Sequence, residues 1–291
     1  MSHRVLACLA MALMSSSANA QTKVNRGLQL DATGAVRVYN LVGSVRVTGW
    51  NRDSVVVRGT LGKGNTLHMG GGGAGLKMFI EGMDDRNPSR ADIEVIVPVR
   101  AKVWIKTATA SIDVRDVTGS LDLYVVGGDI KVTGNPADVN AEAIDGSITI
   151  IGSPAWVRAK SASGDVSLDG SSPDVTISTV SGRIDVDGTR FEKAKFESVT
   201  GSIRFAGSFQ RGGLVNFDSH SGSIEIGIPA GSPADFDVVS IAGAISNKLT
   251  RSRPVPGRYG RGAELTTSSG DGGTRVVVRS FKGPVTLLGK D

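Results

Sequence analysis

Apolar and polar residues alternate along most of this 291-residue chain, and glycine interrupts the alternation at regular intervals. Counted from each such glycine, apolar residues stand at the second and fourth positions, and again at the eleventh, thirteenth and sixteenth. Alternation with a period of two is typical of half-buried β-strands rather than helices. The stretch after Gly128 shows the full set: Ile130, Val132, Val139, Ala141 and Ile144. The pattern predicts short strands in which all five positions point inward.

The glycine that opens each stretch returns every 18 residues through the middle of the chain. The regular positions are Gly128, Gly146, Gly164 and Gly182, with Ala110 in the equivalent place one step earlier. The interval then lengthens, and the later and terminal positions are Gly201, Gly222, Gly243, Gly283 and, at the start, Gly43. A fixed period of this size is the signature of a solenoid, whose equivalent strands stack in parallel about 4.8 Å apart. At each opening position, glycine is expected to supply a backbone conformation that other residues tolerate less well.

We therefore predict an all-β fold: a single-stranded, right-handed parallel β-helix (β-solenoid) of roughly eight to ten coils, on the order of 40–50 Å long. If the longer coils keep the same register, His220 lies over Val199 and under Ile241, at an inward corner position. A corner histidine of this kind is expected to be structural rather than catalytic.

Two stretches break the register within a single predicted domain, residues 21–291. Residues 59–91 contain the glycines of 70–75, and residues 248–273 are rich in arginine, glycine and proline. Both are predicted to be inserted loops or hairpins that project from the rod, where repeat proteins often place binding surfaces. Pro284 opens the last strand, and is predicted to keep that strand from recruiting another chain.

The first 20 residues have the pattern of a secretory signal peptide. Arg4 precedes an apolar run, and Ala18-Asn19-Ala20 forms a cleavage site. We predict export to the periplasm or cell surface after cleavage behind Ala20, and no transmembrane segment. Cys8, the only cysteine, lies in this leader. The net charge of +5 is spread along the chain, so a nucleic-acid partner is not expected.

The repeated phrases, such as SASGDVSL at 161–168 and TVSGRIDV at 179–186, resemble those of a bacterial family of exported "putative adhesin" proteins. The resemblance covers most of the chain beyond the leader, including RVVVRSFKGPVTL at 275–287. It implies a domain of unknown function built as a single-stranded β-helix. It supplies no catalytic residues.

Catalytic candidates are few. Beyond the leader the only histidines are His68 and His220, and outward carboxylates on the strands after each glycine alternate with basic and neutral residues. The glycines of 70–75 precede a strand-like segment, so no helix N-terminus would meet a phosphate. We expect no catalytic site, no metal site and no cofactor.

Two groups of residues are predicted ligand contacts. The first is an aromatic set that could stack on sugar rings. The second is an arginine-rich loop that could contact anionic polymers. The members are Trp104, Tyr124 and Trp156 in the aromatic set, and Arg251, Arg253, Arg258, Tyr259 and Arg261 in the loop.

These features predict a non-enzymatic, adhesin-like binding or scaffold protein of the cell envelope. Its expected partner is a glycan, an anionic envelope polymer or an envelope protein. Two alternatives stay open: a carbohydrate-active enzyme on a β-helix, and an envelope scaffold that self-assembles through its end coils. The sequence leaves the oligomeric state undecided.

Overall fold

The computed structural model describes residues 21–84, 88–258 and 261–290. The predicted leader, residues 1–20, and the candidate contact Tyr259 lie outside these ranges. Across the described ranges the chain forms β-strands and no α-helix, and no helix there is long and apolar enough to cross a membrane. The predicted all-β class is confirmed.

The described strands are, in chain order, β1 (Thr22–Gln29), β2 (Ala35–Asn40), β3 (Gly43–Trp50), β4 (Ser54–Leu61), β5 (Thr66–Gly72), β6 (Gly75–Glu81), β7 (Ala91–Pro98), β8 (Lys102–Thr107), β9 (Ser111–Arg115), β10 (Ser120–Val125), β11 (Ile130–Thr133), β12 (Asp138–Ala143), β13 (Ile148–Gly152), β14 (Trp156–Ser161), β15 (Val166–Ser171), β16 (Asp174–Thr179), β17 (Ile184–Ser198), β18 (Ile203–Ser219), β19 (Ile224–Pro229), β20 (Ala234–Ser240), β21 (Ile245–Lys248), β22 (Val255–Pro256), β23 (Ala263–Ser269), β24 (Arg275–Ser280) and β25 (Val285–Lys290).

The middle of the chain is a stack of coils in chain order, and each coil supplies two strand segments. We call the segments that follow a glycine phrase strands, and those that lead to the next glycine return strands. Return strand β10 pairs in parallel with β8 and β12, which places Leu121 between Val103 and Val139. Phrase strand β11 pairs in parallel with β9 and β13. The 18-residue period is therefore the spacing of hydrogen-bonded partners.

The core is a set of aliphatic columns between the phrase and return strands. In the coil opened by Gly128, Ile130, Val132, Val139 and Ala141 are at most 1% exposed. The columns widen toward the C-terminus, where phenylalanines replace the smaller side chains. This phenylalanine cluster consists of Phe191, Phe196, Phe205, Phe209 and Phe217.

The predicted inward position sixteen residues after each glycine lies on the outside. Val126 is 38% exposed and Val180 is 52% exposed. Alternation explains the error: Leu121 and Leu123 point inward, so Val125 must do so as well and Val126 must point outward. We call this outward set the apolar row. In spatial order it contains Leu41, Ala108, Val126, Ile144, Ala162, Val180, Val199, His220, Phe281 and Ile241.

The inward residue at this corner is commonly a hydroxyl that bonds the glycine three residues later. Ser161 donates to the Gly146 carbonyl at 2.9 Å and accepts from the Gly164 N–H at 3.0 Å. Thr179 accepts from the Gly182 N–H in the next coil. These buried hydroxyls satisfy backbone groups that the turn leaves without a strand partner.

The glycines are required by close stacking. A side-chain carbon on Gly146 or Gly164 would fall on the carbonyl oxygen of the equivalent glycine one coil earlier, although neither has a positive φ. The predicted need for an unusual backbone conformation is therefore wrong at these positions. It does apply to a second column, six residues further on, where Gly134, Gly152 and Gly170 have φ values of 127°, 135° and 144°.

The N-terminal end departs from chain order. The coil of β2 and β3 lies between the coil of β8 and β9 and an outer coil formed by β6 and β7. β5 forms an antiparallel hairpin with β6, and β4 runs antiparallel between β1 and β7. Much of the stretch at 59–91 is thus stacked or paired onto the end of the rod.

The C-terminal end is interleaved in the same way. β24 lies between β18 and β20, and β25 lies between β19 and β21. β23 closes the end antiparallel to β20, and β22 pairs with β23.

Two expectations from the sequence are corrected by this order of strands. His220 stacks on Phe281, with ring centroids 4.9 Å apart, rather than lying under Ile241. Pro284 precedes a strand that is paired on both sides, so it does not protect a free edge.

Candidate binding surface

The outward residues of the return strands form rows along the rod, because equivalent residues of successive coils are neighbours. Beside the apolar row runs a second row, four residues before each glycine, which we call the mixed row. In spatial order it contains Tyr39, Lys106, Tyr124, Glu142, Lys160, Ser178, Glu197, Asp218, Arg279 and Val239. One open concavity lies near each end of these two rows.

The concavity at the N-terminal end has a volume of about 550 Å³ and combines aromatic rings with lysines. The rings of Tyr39 and Trp104 lie 4.8 Å apart at an angle of 54°. The Lys77 ammonium lies 5.2 Å from the Tyr39 ring centroid and 5.5 Å from that of Phe79. We call this group, together with Tyr124 and Lys106, the aromatic–lysine patch.

The two lysines of the patch carry charge that no carboxylate neutralises within the described residues. Lys106 lies over the Tyr124 ring, with its ammonium 5.2 Å from the centroid. Neither Lys77 nor Lys106 is among the side chains that form ion pairs in the described part of the chain. A cation held against a ring face gains about 0.5–2 kcal/mol and remains available to an anion. The patch can therefore offer flat apolar rings and positive charge at once.

The structure divides the predicted aromatic set. Trp104 and Tyr124 lie on the adjacent return strands β8 and β10. Trp156 lies two strands beyond Tyr124, at the start of β14, where its register partners are Asp138 and Asp174. Trp156 is therefore outside the aromatic–lysine patch.

Tyr39 and Phe79 were not predicted as contact residues from the sequence. Tyr39 precedes Trp104 by 65 residues, and the two rings meet because the first coil packs beside β8. Phe79 is brought beside Tyr39 by the outer coil of β6. One signal was present for Tyr39, since it stands four residues before Gly43, as Tyr124 does before Gly128. The position of Phe79 had no equivalent signal, because β6 lies in the stretch that breaks the register.

The concavity at the C-terminal end has a volume of about 600 Å³ and is acidic. Glu197 and Asp218 are register partners on β17 and β18. Burial, and secondarily the neighbouring Glu197 charge, raise the pKa of the Asp218 carboxyl, while Lys195 and Arg279 oppose the shift. Lys195 pairs with Glu197 at 2.7 Å, and Arg279 pairs with Asp237 at 2.9 Å.

This carboxylate pair was not found from the sequence. The search for clustered carboxylates followed the phrase strands, whereas Glu197 and Asp218 lie on return strands. His220 lies on the same wall of the concavity. The expected inward, core position of His220 is wrong, because the residue is exposed.

The predicted arginine-rich loop lies at the opposite end of the rod from the aromatic–lysine patch. Asn247 organises its first turn by accepting from the N–H groups of Leu249 and Thr250. Glu264 of β23 accepts from the Arg258 N–H at 2.9 Å, and its carboxylate lies 4.0 Å from the Arg258 guanidinium. The exposed arginines of this loop are Arg251, Arg253, Arg258 and Arg261.

His68, the other histidine, belongs to the β5–β6 hairpin. It lies 2.6 Å from the Glu81 carboxylate, and its ring stacks on Phe79 at 4.7 Å. In the described ranges no group of three or more histidine, cysteine or acidic side chains is placed to hold a metal ion. The geometry gives His68 a role in holding Phe79 in the aromatic–lysine patch.

Comparison with known families gives a match for residues 138–271. This segment matches the family model described as Toastrack DUF4097, a domain of unknown function. The predicted family resemblance is confirmed over this segment, which does not include the phrase at 275–287. The matched Toastrack segment runs from β12 to the loop after β23. It includes Glu197 and Asp218 of the acidic concavity but not Arg279, Ser280 and Phe281, which also line it, and it includes none of the aromatic–lysine patch. A search of curated proteins gives no match.

Several solved structures are similar to the chain at low identity. They include a putative cell adhesion protein from Clostridium sporogenes, with 9% identity and a TM-score of 0.23, covering 92% of this chain and 100% of its own. A putative adhesin from Bacteroides fragilis has 11% identity and a TM-score of 0.43, covering 93% and 99%. A putative lipid binding protein from Parabacteroides distasonis has 12% identity and a TM-score of 0.43, covering 91% and 96%. At these TM-scores the likenesses carry no functional information.

Proposed function

We propose that the protein is an exported, non-enzymatic binding rod of the cell envelope, and that its aromatic–lysine patch holds an acidic glycan polymer. The proposal includes a single right-handed solenoid domain at 21–291, released from its leader behind Ala20. The observation that carries it is one concavity lined by Tyr39, Phe79, Lys77 and Lys106, with Trp104 packed against Tyr39. Neither lysine forms an ion pair within the described residues.

Sugar rings have apolar faces, and flat aromatic side chains contact them without losing much conformational entropy. An acidic polysaccharide adds a carboxylate or sulfate on most units, which Lys77 and Lys106, placed over the Tyr39, Phe79 and Tyr124 rings, can contact. Charge-assisted hydrogen bonds of this kind are roughly twice as strong as neutral ones. A stiff rod suits an extended polymer, because its surface is already ordered before binding.

The other predicted contacts enter the proposal as auxiliary sites. Trp156 lies on the same face two coils from Tyr124, within reach of a longer chain that crosses several strands. The loop with Arg251, Arg253, Arg258 and Arg261 lies at the far end of the rod. It provides a second electrostatic contact for an anionic envelope polymer or an envelope protein.

The experiment is a titration of the chain beginning at Gln21 with alginate oligosaccharides of defined length, followed by calorimetry. Trp104→Ala and Tyr39→Ala are expected to weaken binding about five- to thirtyfold, since stacking on an aromatic ring contributes about 1–2 kcal/mol. Lys106→Gln should weaken binding less and reduce its salt dependence.

Trp156→Ala is the matched control, because it removes an exposed-face tryptophan outside the patch. With oligosaccharides too short to extend from the patch to Trp156, its affinity should stay within about twofold of the wild type. Equal losses for Trp104→Ala and Trp156→Ala would show that the patch is not the principal site. Absence of binding to acidic and to neutral glycans alike would remove the glycan proposal.

A carbohydrate-active enzyme is the second candidate, favoured by Glu197 and Asp218 in the 600 Å³ concavity. Two carboxyls facing one groove are the usual equipment of glycoside hydrolysis, and a raised pKa suits a general acid. The Lys195–Glu197 ion pair weighs against it, because it occupies one of the two carboxylates. Release of reducing ends from acidic polysaccharides, abolished in Asp218→Asn, would support this candidate over a binding rod.

A further inference from the structure

The apolar row is a strip of mainly hydrophobic side chains along one corner of the rod, with the half-buried Ala108 and Ala162 among its exposed members and His220 near one end. Leu41, Ile144, Val199 and Ile241 are 43%, 42%, 44% and 47% exposed. Successive members are one strand spacing apart, so the segment from Leu41 to His220 is about 34 Å long. Scattered exposed apolar residues need no explanation, whereas a contiguous strip is typical of an interaction surface.

The mixed row, which runs parallel to this strip, has a distinctive order of charges. Lys106, Glu142, Lys160 and Glu197 alternate in sign along the rod, separated by the neutral Tyr124 and Ser178. Glu142 and Lys160 are register partners on β12 and β14. Neither side chain forms an ion pair within the described residues, so both charged groups are available to a partner.

We propose that the apolar row binds the apolar row of a second copy of this chain, with the two rods antiparallel. The two-fold axis lies in the contact plane, perpendicular to the rods, and crosses them between Ile144 and Ala162. This axis makes the two rods run in opposite directions and places the mixed row of one copy beside the mixed row of the other. Such an axis makes the contact isologous, since the same surface is used by both copies.

In this register, opposite charges meet along the mixed rows. Glu142 faces the partner's Lys160. Lys106 faces the partner's Glu197, a carboxylate that also pairs with Lys195 of its own rod. Each contact occurs twice. A shift of one coil in one direction places Lys160 against the partner's Lys160. A shift in the other direction places Glu142 against the partner's Glu142. Like charges in direct opposition are unfavourable, so the charge order selects one alignment.

The apolar rows are complementary in size at the same alignment. Ile144 faces the small Ala162 of the other copy, and Val199 faces the small Ala108. The larger Val126 faces Val180, at equal distances on either side of the axis. The aromatic–lysine patch of each copy meets the acidic concavity of the other. Tyr39 faces the partner's Asp218, and Phe79, one coil further out, faces the partner's Arg279.

The contact is small. Eight coils at the strand spacing and a width of about 10 Å give on the order of 400 Å² from each copy, at the low end of specific interfaces. We therefore expect a reversible dimer with a dissociation constant on the order of tens to hundreds of micromolar. Local crowding after export would raise the concentration toward this range. The inference does not rest on glycan binding.

The test is sedimentation equilibrium of the chain beginning at Gln21, from 5 to 500 μM and without glycan. The wild type should show a monomer–dimer equilibrium that weakens as salt is raised. Lys160→Glu alone and Glu142→Lys alone should each weaken the dimer at least tenfold, because two like-charge contacts replace two opposite ones. Mixed in equal amounts, the two variants should associate with each other to within about threefold of the wild-type affinity.

Lys131→Glu is the matched control, because it makes the same charge change on phrase strand β11, away from the apolar row. It should dimerise like the wild type. Two results would overturn the proposal: a monomer throughout the concentration range, or a dimer whose affinity is unchanged in Lys160→Glu and in the mixture. Circular dichroism of each variant verifies that it is folded, so failure to dimerise cannot be confused with misfolding.

Discussion

The middle of the rod and its two ends are built from the same kind of coil, but the coils are stacked in a different order. Between β8 and β17 each coil lies on the one before it, and partners are 18 or 19 residues apart. At the ends the chain order is interleaved: the coil of β24 and β25 lies inside that of β20 and β21, and the coil of β2 and β3 lies inside that of β6 and β7.

The difference shows how a solenoid without disulfides covers its ends. Terminal coils need an outer layer, because an exposed strand edge recruits other chains and leaves the core open. Here the outer layer comes from sequence-distant segments, with antiparallel strands β4 and β23 alongside. The middle thus depends on local repetition, and the ends depend on long-range pairing.

The largest expected effect is a loss of folding stability when an interleaved coil is removed. Deletion of residues 275–291 takes away four fully buried side chains, those of Val276, Val278, Val285 and Leu287. At about 1.5–3 kcal/mol each, the gross loss is about 6–12 kcal/mol. Hydrogen exchange should show that protection is lost in β20 and β21 and kept in β10 to β16.

Deletion of residues 21–29 is the control for this truncation. It removes β1, which pairs on one side only and is largely exposed. The loss of stability should be much smaller and confined to β4. Comparable losses for the two deletions would contradict the interleaved order at the C-terminal end.

The next effect concerns glycine in the regular middle. Gly152→Ala is expected to destabilise the fold by about 3 kcal/mol or more, because the new side chain meets the Gly134 carbonyl at a positive φ. Gly70→Ala, in the β5–β6 hairpin, adds a side chain with nothing within 4 Å and should change stability by less than about 0.5 kcal/mol. Urea denaturation measures both, and equal effects would show that coils do not stack this closely.

The smallest expected effect is a pH dependence of stability caused by Asp218. This residue lies on β18, where the stack passes from β18 to the sequence-distant β24. Because the pKa of Asp218 is raised by burial and by Glu197, its folded form holds a proton more tightly than the unfolded chain. Stability is therefore lost as pH rises through the window above the ordinary aspartate pKa of about 3.9. Asp218→Asn should raise Tm by about 1 °C at pH 7 after solvent screening, and should have no effect at pH 3.

Asp237→Asn should show the opposite sign. The hydrogen bond from Arg279 lowers the pKa of Asp237, so this carboxylate contributes stability above its ordinary pKa that is lost as pH falls. The substitution should lower Tm at pH 7 and leave it unchanged at low pH. Two shifts of the same sign would mean that the charges around Arg279 are arranged differently.

The coil itself could be predicted from the sequence because its signal is local. Alternation and the returning glycine identify the strands and the parallel register of the middle, and they place residues such as Ile130 and Val139 in the core. The ends could not be predicted, since the position of β24 between β18 and β20 depends on which coils pack together rather than on any repeat.

The site was only half visible for the same reason. Trp104 and Tyr124 lie in the regular part, whereas Tyr39 and Phe79 join them through the interleaved N-terminal end. The exposed apolar row was misplaced for another reason, because hydrophobicity was followed at Val126 in preference to alternation. Successive residues of a strand point to opposite faces, so Val126 points outward because Val125 is buried.

The inside–outside order at this corner is the central claim, since the apolar row and both concavities depend on it. Thr179 is 5% exposed and Val180 is 52% exposed. A chain beginning at Gln21 lacks Cys8, so Thr179→Cys and Val180→Cys each provide a single thiol for maleimide labelling under native conditions. We predict that the thiol at 180 reacts at a rate near that of a free thiol, and that the thiol at 179 reacts only after unfolding. Faster labelling at 179 than at 180 would contradict the account.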